Sequence, residues 1–453
     1  MPVEQGRANH YTRLQATGAN LNKGSTDLNL PSGKMTPYSL DALRSLALHC
    51  QGLDRHKYAG VLPGSQAISD AVKRVGWVQI DTLQMVQRSQ YLAMWSRLGN
   101  YDTSEFDKLV FDGGSTSQSN GRQMFEYWMH AACIIPLSEY RYRLPVMKGH
   151  RDGSVGSRRK WAEQPGNMKL IKEVLGFVES EGAKRSADFE NSEKRRGPWW
   201  DWKPAKRALE HLYNSGELAI ANRIKFQRVY DVPKRVIPSW VDSRLPDPQE
   251  AGSHLLEVSM KALGVCTPAQ VGDYFHMKRT ESRPLIEALI KDGTFVRIRG
   301  HVLGDKQMDL VVHRDNLGAL QRAAEGGLQP TLTTFLSPFD SLFWAKERDR
   351  QFWGFRQILE AYKPEPIREW GYFCLPILHK AQLVGRFDPK LERKEKTLRL
   401  KKLYLEPGIK PEEQLVAEVA EAMRDFLAFH EAKTLVIENS EPADFARKLM
   451  KAL

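Results

Sequence analysis

In the run WVQIDTL at residues 77–83, an amide and a carboxylate stand two positions apart, at Gln79 and Asp81. Successive side chains of an extended chain alternate between faces, so Val78 and Ile80 point one way, into a core, and Gln79 and Asp81 the other. The strand repeat sets the two polar groups about 7 Å apart. A carboxylate paired with an amide can hold a water molecule and draw off its proton. Gln-x-Asp equally suits a solvent-facing strand edge with no chemistry, and spacing alone leaves both readings open.

Two further segments suit a polyanion. Residues 194–203, KRRGPWWDWK, interleave cations with stackable rings, which fits backbone contact and base stacking. Three tryptophans this close more often pack than stack on bases, so Arg195, Arg196 and Lys203 are the stronger candidates. Between Arg386 and Lys402 there are eight Lys or Arg against three Asp or Glu. That stretch reads as a basic hairpin with its tip near 389–396. Its Arg386, Lys390, Arg393 and Lys394 would clamp phosphates or enter a groove, the alternative being a solvated charged run. The net charge of +12 points the same way, because a basic surface attracts nucleic acid.

The elements that must position these groups show an internal echo. Residues 208–232 and 285–312 each read as a helix ending at a glycine (Gly216, Gly293), then a strand, a turn and a second strand. Glycine there supplies the left-handed residue that terminates a helix. The predicted strands are 217–220 with 226–232, and 294–299 with 309–312. Upstream of the second copy, Thr267-Pro-Ala-Gln270 is a capping box with proline at the first helical position. Helix, turn, helix and a two-stranded wing make the winged-helix arrangement. A third, looser copy places a helix at 68–75, its end at Gly76 and a strand at 77–81. Three such units predict an α+β chain of tandem winged helices with a C-shaped, concave DNA-binding surface.

Around them, residues 1–36 are polar and lack an apolar period, which predicts a flexible tail. The first module begins near Pro37, with Ser39 capping a helix through Leu43, Leu46 and Leu48. The domains expected are 37–150, 151–245, 246–328 and a mixed α/β region at 329–453. In the last, strands are predicted at 371–376, 383–387 and 396–405, and helices at 411–430 and 442–453.

Composition excludes several classes. No stretch approaches the roughly 18 apolar residues of a membrane span, and no signal-peptide layout opens the chain, so a cytosolic protein is expected. Cys50, Cys133, Cys266 and Cys374 lie far apart and form no CxxC or Cys/His cluster. They read as buried reduced thiols rather than ligands of zinc or an iron–sulfur cluster. There is no GxGxxG, Walker A, HExxH or GxSxG sequence, so no nucleotide, flavin or metal is expected.

Motifs spread in order along the chain decide between these readings. VGWVQIDTL at 75–83 is followed by RSQY at 88–91, WSRLG at 95–99 and FEYWMHAA at 125–132. Then come WKPA at 202–205, GELA at 216–219, VYD at 229–231 and RVIP at 235–238. LSPFD at 336–340, GYFCLP at 371–376 and LVGRFD at 383–388 complete the set. Over residues 38–430 the chain resembles the YcaQ/AlkZ family of bacterial DNA glycosylases. Its Gln79-Ile80-Asp81 looks like the Gln-apolar-Asp motif of the YcaQ branch, where the AlkZ branch has Gln-apolar-Gln.

The resemblance implies a DNA glycosylase that excises N7-alkylguanine and unhooks interstrand crosslinks, with Gln79 and Asp81 catalytic. A monofunctional, monomeric enzyme on double-stranded DNA is expected, without cofactor, membrane or obligate protein partner. His130, within FEYWMHAA, would contact a phosphate or the lesion strand, or else sit hydrogen-bonded beside core tryptophans. The rival reading is a winged-helix regulator that binds DNA without catalysis.

Overall fold

The computed structural model describes residues 36–55, 62–111, 121–155, 159–189 and 202–453. The predicted tail, apart from Thr36, lies outside these residues. The described chain forms two compact units, one of Arg141–Pro248 and one of Tyr38–Tyr140 with Gln249–Leu453.

Three small antiparallel sheets share one topology. The first contains β1 (Val78–Gln79), β2 (Met124–Trp128) and β3 (Ala132–Pro136), in the order β1-β3-β2. The second, in the Arg141–Pro248 unit, contains β4 (Lys184–Arg185), β5 (Ala219–Ile224) and β6 (Gln227–Asp231), in the order β4-β6-β5. The third contains β7 (Val265–Cys266), β8 (Phe295–Val302) and β9 (Lys306–His313), in the order β7-β9-β8. Each sheet is thus a hairpin whose second strand also takes a two-residue strand from upstream.

This topology corrects the reading of the third copy. The segment after Gly76 is not the first strand of a wing, as the matching helix–glycine pattern suggested. β1 pairs with β3, as β7 pairs with β9, so Gly76 corresponds to Gly264 rather than to Gly216 or Gly293. The hairpin of the first sheet is β2–β3, some fifty residues further on.

Local signals explain the helix boundaries. The Ser39 side chain accepts from the Ala42 amide and caps helix Leu40–Gln51. Thr267 and Gln270 form the reciprocal capping box, and Gly216 and Gly293 have φ of 73° and 80°. In the Arg141–Pro248 unit, helix Trp202–Asn214 buries Ala205, Ala208, Leu209 and Leu212, a stripe at helical spacing. Helix Pro165–Glu181 packs against it through Leu170, Val174 and Val178.

The larger unit is closed by a six-stranded sheet of β10 (Thr333–Phe335), β11 (Leu375–His379), β12 (Gln382–Glu392), β13 (Thr397–Leu405), β14 (Thr434–Ile437) and β15 (Ser440–Glu441). β14 and β15 run parallel to β13, and neither was expected from the sequence. Helix Glu413–Phe429 covers this sheet through Phe426, which meets Phe335 at 5.4 Å and Phe387 at 6.0 Å. Trp95 of helix Ser89–Leu98 joins the same cluster, stacked on Phe335 at 5.9 Å and edge-on to Phe426 at 4.9 Å. Beside it the buried Arg97 guanidinium grips Asp340 through two bonds of 2.7 and 2.9 Å and also donates to Gln51. WSRLG and LSPFD are therefore two halves of one buried, fully bonded polar contact. Such a pair adds little net stability over a well-packed apolar contact, but losing either partner would strand a buried charge.

Candidate active site

Helix Ser65–Val75 ends at Gly76, whose φ is 81°. A Cβ there would lie 2.6 Å from Val258 Cγ1, so the position requires glycine for space as well as for backbone. The next residue, Trp77, is fully buried. Its ring meets Tyr274 edge-on at 5.3 Å and Phe275 at 6.1 Å, and stacks on Trp344 at 6.3 Å. The Tyr274 hydroxyl donates to the Val75 carbonyl at 2.8 Å. Aromatic contacts of this kind contribute about 0.5–1.5 kcal/mol each beyond burial. They fix the start of β1.

Along β1, Val78 faces Ile134 and Gln79 faces Cys133. The ladder runs one residue further through Ile80 N–H to the Ala132 carbonyl, 2.8 Å. Val78 and Ile80 are buried, while Gln79 and Asp81 are half-buried, the alternation expected of an extended segment. The Gln79 carbonyl accepts from the Ser89 hydroxyl at 2.7 Å. At Asp81 the strand stops. Its Oδ1 accepts from the Leu83 amide at 2.9 Å, turning the chain away from the sheet.

No side chain among the described residues donates to Asp81, and no cation pairs with it. Burial raises its carboxyl above the usual carboxylate range, against the amides of Leu83 and Thr82 that pull it down. An unpaired, partly desolvated carboxylate is a stronger base than one in water, and its charge acts over less screening.

His130 occupies the turn between β2 and β3 and reaches back over β1. Its Nε2 lies 3.0 Å from Gln79 Oε1. The ring packs at 4.3 Å from Trp344 and 5.2 Å from His276. Burial, with His276 beside it, pushes the imidazole down to about 3, so His130 is neutral at physiological pH. His276 is itself lowered by burial and by Lys346, with Asp273 opposing. Asp273 is raised by burial. His130 thus touches Gln79 and the core tryptophan Trp344, and it carries no charge for a phosphate.

Sequence reasoning missed His276, Trp344, Asp273 and Lys346. The one local mark among them is His276, a non-glycine residue with φ of 60° after Phe275. The others come together only through tertiary contact.

The basic hairpin is real, β12 and β13 joined at residues 393–396, but its residues divide. Arg386 is buried, out of reach of a phosphate at the surface. Its guanidinium donates twice to Glu406, at 2.9 and 2.6 Å, and once to the Arg356 carbonyl, and it lies between the rings of Phe355 and Trp370. Its placement among DNA-contacting residues is therefore corrected: it is a core cation. Lys390 and Lys394 are exposed, the former 3.7 Å from Glu392. Arg393 donates to the Val86 carbonyl at 2.6 Å, and the Leu391 amide donates to the Met85 carbonyl at 2.9 Å. The hairpin tip thus holds the loop that follows Asp81. Arg195, Arg196 and the side chain of Lys203 lie outside the described residues.

The four cysteines are buried. No described helix is long and apolar enough to cross a membrane. Among the described residues no group of three or more His, Cys, Asp or Glu is arranged to hold a metal.

Sheets of repeated topology, with an amide and a carboxylate displayed at one strand end, define a mixed α/β protein with a half-buried polar pair. The DNA glycosylase AlkZ-like family model matches residues 72–429, and the chain belongs to that family of DNA repair enzymes. The fold is similar to that of the Streptomyces sahachiroi DNA glycosylase AlkZ, with a TM-score of 0.60 over 89% of this chain and 100% of that one. Sequence identity between the two is 14%.

Proposed function

We propose that this glycosylase hydrolyses the N-glycosidic bond of guanines alkylated at N7 and unhooks interstrand crosslinks in duplex DNA. In this reading the three small sheets belong to winged-helix modules at 37–150, 151–245 and 246–328, followed by a mixed α/β region at 329–453. The enzyme is monofunctional, works as a monomer in the cytoplasm at the nucleoid, and leaves an abasic site.

An N7-alkylated guanine is cationic and departs with the bonding electrons without a general acid. The site then has two tasks, to stabilise positive charge growing on the sugar and to deliver water. Asp81 serves both, as anion and as general base. Gln79 orients the water or the sugar. A neutral base would need a proton donor, and the neutral His130 is a poor one. Because the leaving group is already charged, the reaction draws on no metal or cofactor. Lys390, Arg393 and Lys394 supply phosphate contacts, joined by Arg195, Arg196 and Lys203.

The observation that carries this reading is the state of Asp81: half-buried, without an ion pair among the described residues, and two positions from an amide at the end of a firmly held strand. Such a carboxylate costs folding energy and suits a base. The test is a single-turnover assay on duplex DNA containing one N7-methylguanine. The wild type releases free base, and Asp81→Asn loses at least about a hundredfold in rate. No release by the wild type, from this substrate or from a nitrogen-mustard crosslink, would leave a DNA-binding protein without catalysis.

A further inference from the structure

We infer that His130 is a positioning residue for Gln79: its Nε2–H donates to Gln79 Oε1 and turns the amide NH2 toward the reacting groups. The inference rests on the reading that Gln79 and Asp81 are the reactive pair, and it deepens that reading by assigning a polarity to Gln79.

A glutamine amide has an acceptor end and a donor end, and on a strand terminus it can present either. Among the described residues, one side chain is placed to choose for Gln79, through the His130 Nε2 at 3.0 Å. A neutral imidazole carries a single N–H. The other ring nitrogen, Nδ1, is buried and has no hydrogen-bond partner among the described residues. Were the proton on Nδ1, the protein would bury an orphaned N–H, which native structures rarely do. With the proton on Nε2, the donor is satisfied by Gln79 Oε1 and only a lone pair remains unpaired.

The surroundings hold this tautomer. The ring is packed by Trp344 at 4.3 Å and His276 at 5.2 Å. Of the charged groups nearby, Lys346 and Asp273 act on His276 with opposite sign. None of these gives His130 Nδ1 a hydrogen bond.

The consequence is a division of labour. Gln79 faces the reaction with two donors and no acceptor, so it binds lone pairs, on water or on a sugar or phosphate oxygen. Asp81 is the pair's only acceptor. One water held by donation from Gln79 and acceptance at Asp81 keeps a lone pair free. As that lone pair bonds to the sugar carbon, the carbon–nitrogen electrons leave with the base and the proton passes to Asp81.

Two measurements test this. Long-range 1H–15N correlation on the free protein reads the tautomer directly, and Nε2–H is expected. In single-turnover assays His130→Ala is expected to slow base release about ten- to a hundredfold, with DNA affinity unchanged. In a Gln79→Ala background the same change is expected to cost less than about twofold, since His130 acts through Gln79. His130→Gln, which restores an amide N–H donor, is expected to recover most of the rate. A proton on Nδ1, or an equal loss in both backgrounds, overturns the inference. If the wild type releases no base, the glycosidic reading falls, and the tautomer still decides whether His130 sets the Gln79 amide.

Discussion

Replacing Asp81 by asparagine removes one negative charge and one proton acceptor while keeping shape and the bond from the Leu83 amide, which the asparagine oxygen can accept. Two losses follow. A unit charge about 4 Å from a developing sugar cation contributes about 4 kcal/mol at an effective dielectric near 20. Because Asp81 is only half-buried, solvent screening trims this to about 2–4 kcal/mol. At 1.36 kcal/mol per decade, that is roughly thirty- to a thousandfold in rate. Loss of the general base contributes a further factor, so a hundredfold is the floor of the expected effect. The assay is single-turnover release of N7-methylguanine with enzyme in excess, alongside thermal denaturation to show that the variant is folded. Asp81→Asn that is folded, binds DNA normally and retains release within tenfold of the wild type would refute the assignment of charge stabilisation and proton removal to Asp81.

The same substitution has a stability consequence of opposite sign. Burial raises the folded-state pKa of Asp81 above its unfolded value of about 3.9, so wild-type stability falls as pH rises through that interval. Asp81→Asn is therefore expected to melt above the wild type near neutral pH, with the gap closing as pH falls toward 4. In the pH–rate profile, the acid limb belongs to Asp81, and no inflection appears near 6.5, because His130 is already neutral down to about 3. Lys394→Ala lowers the salt dependence of DNA affinity by about one unit of log–log slope. Arg386→Ala leaves that slope unchanged and destabilises by about 3–5 kcal/mol, having stranded Glu406, as thermal melts of both variants would show. Gly76→Ala costs about 2–4 kcal/mol through its positive φ and the clash with Val258, measured by denaturant unfolding.

What was legible from the residues is what short-range physics decides. The Ser39 cap, the Thr267–Gln270 box and the glycine helix ends depend on groups within four positions, and each stands where its residue types place it. The alternation that buries Val78 and Ile80 and displays Gln79 and Asp81 is likewise a property of one extended segment. Where a partner lay far away, reading by pattern went astray. Gly76 and Gly293 look alike locally, yet which strand follows is set by pairing with β3, beyond any helix–strand window. Arg386 looks like its basic neighbours because nothing near it shows Glu406, Phe355 and Trp370 closing around it. β14 is four residues long and gains its stability only by lying parallel to β13. His130 was legible as a histidine beside core tryptophan, but that the ring is Trp344, some two hundred residues on, is set by tertiary contact alone.

The cage around Trp77 has a bearing on how the protein is made. Tyr274, Phe275 and Trp344 emerge from the ribosome long after the strand they hold. At about 5–20 residues per second the delay is on the order of ten to fifty seconds. During that time β1 has no ring to lean on, and Asp81 has no fixed direction. A nascent or prematurely terminated chain lacking Trp344 is thus expected to release no base in a single-turnover assay, even though Gln79 and Asp81 are already present. On that expectation, an activity that strips bases from the genome is withheld until synthesis is nearly complete.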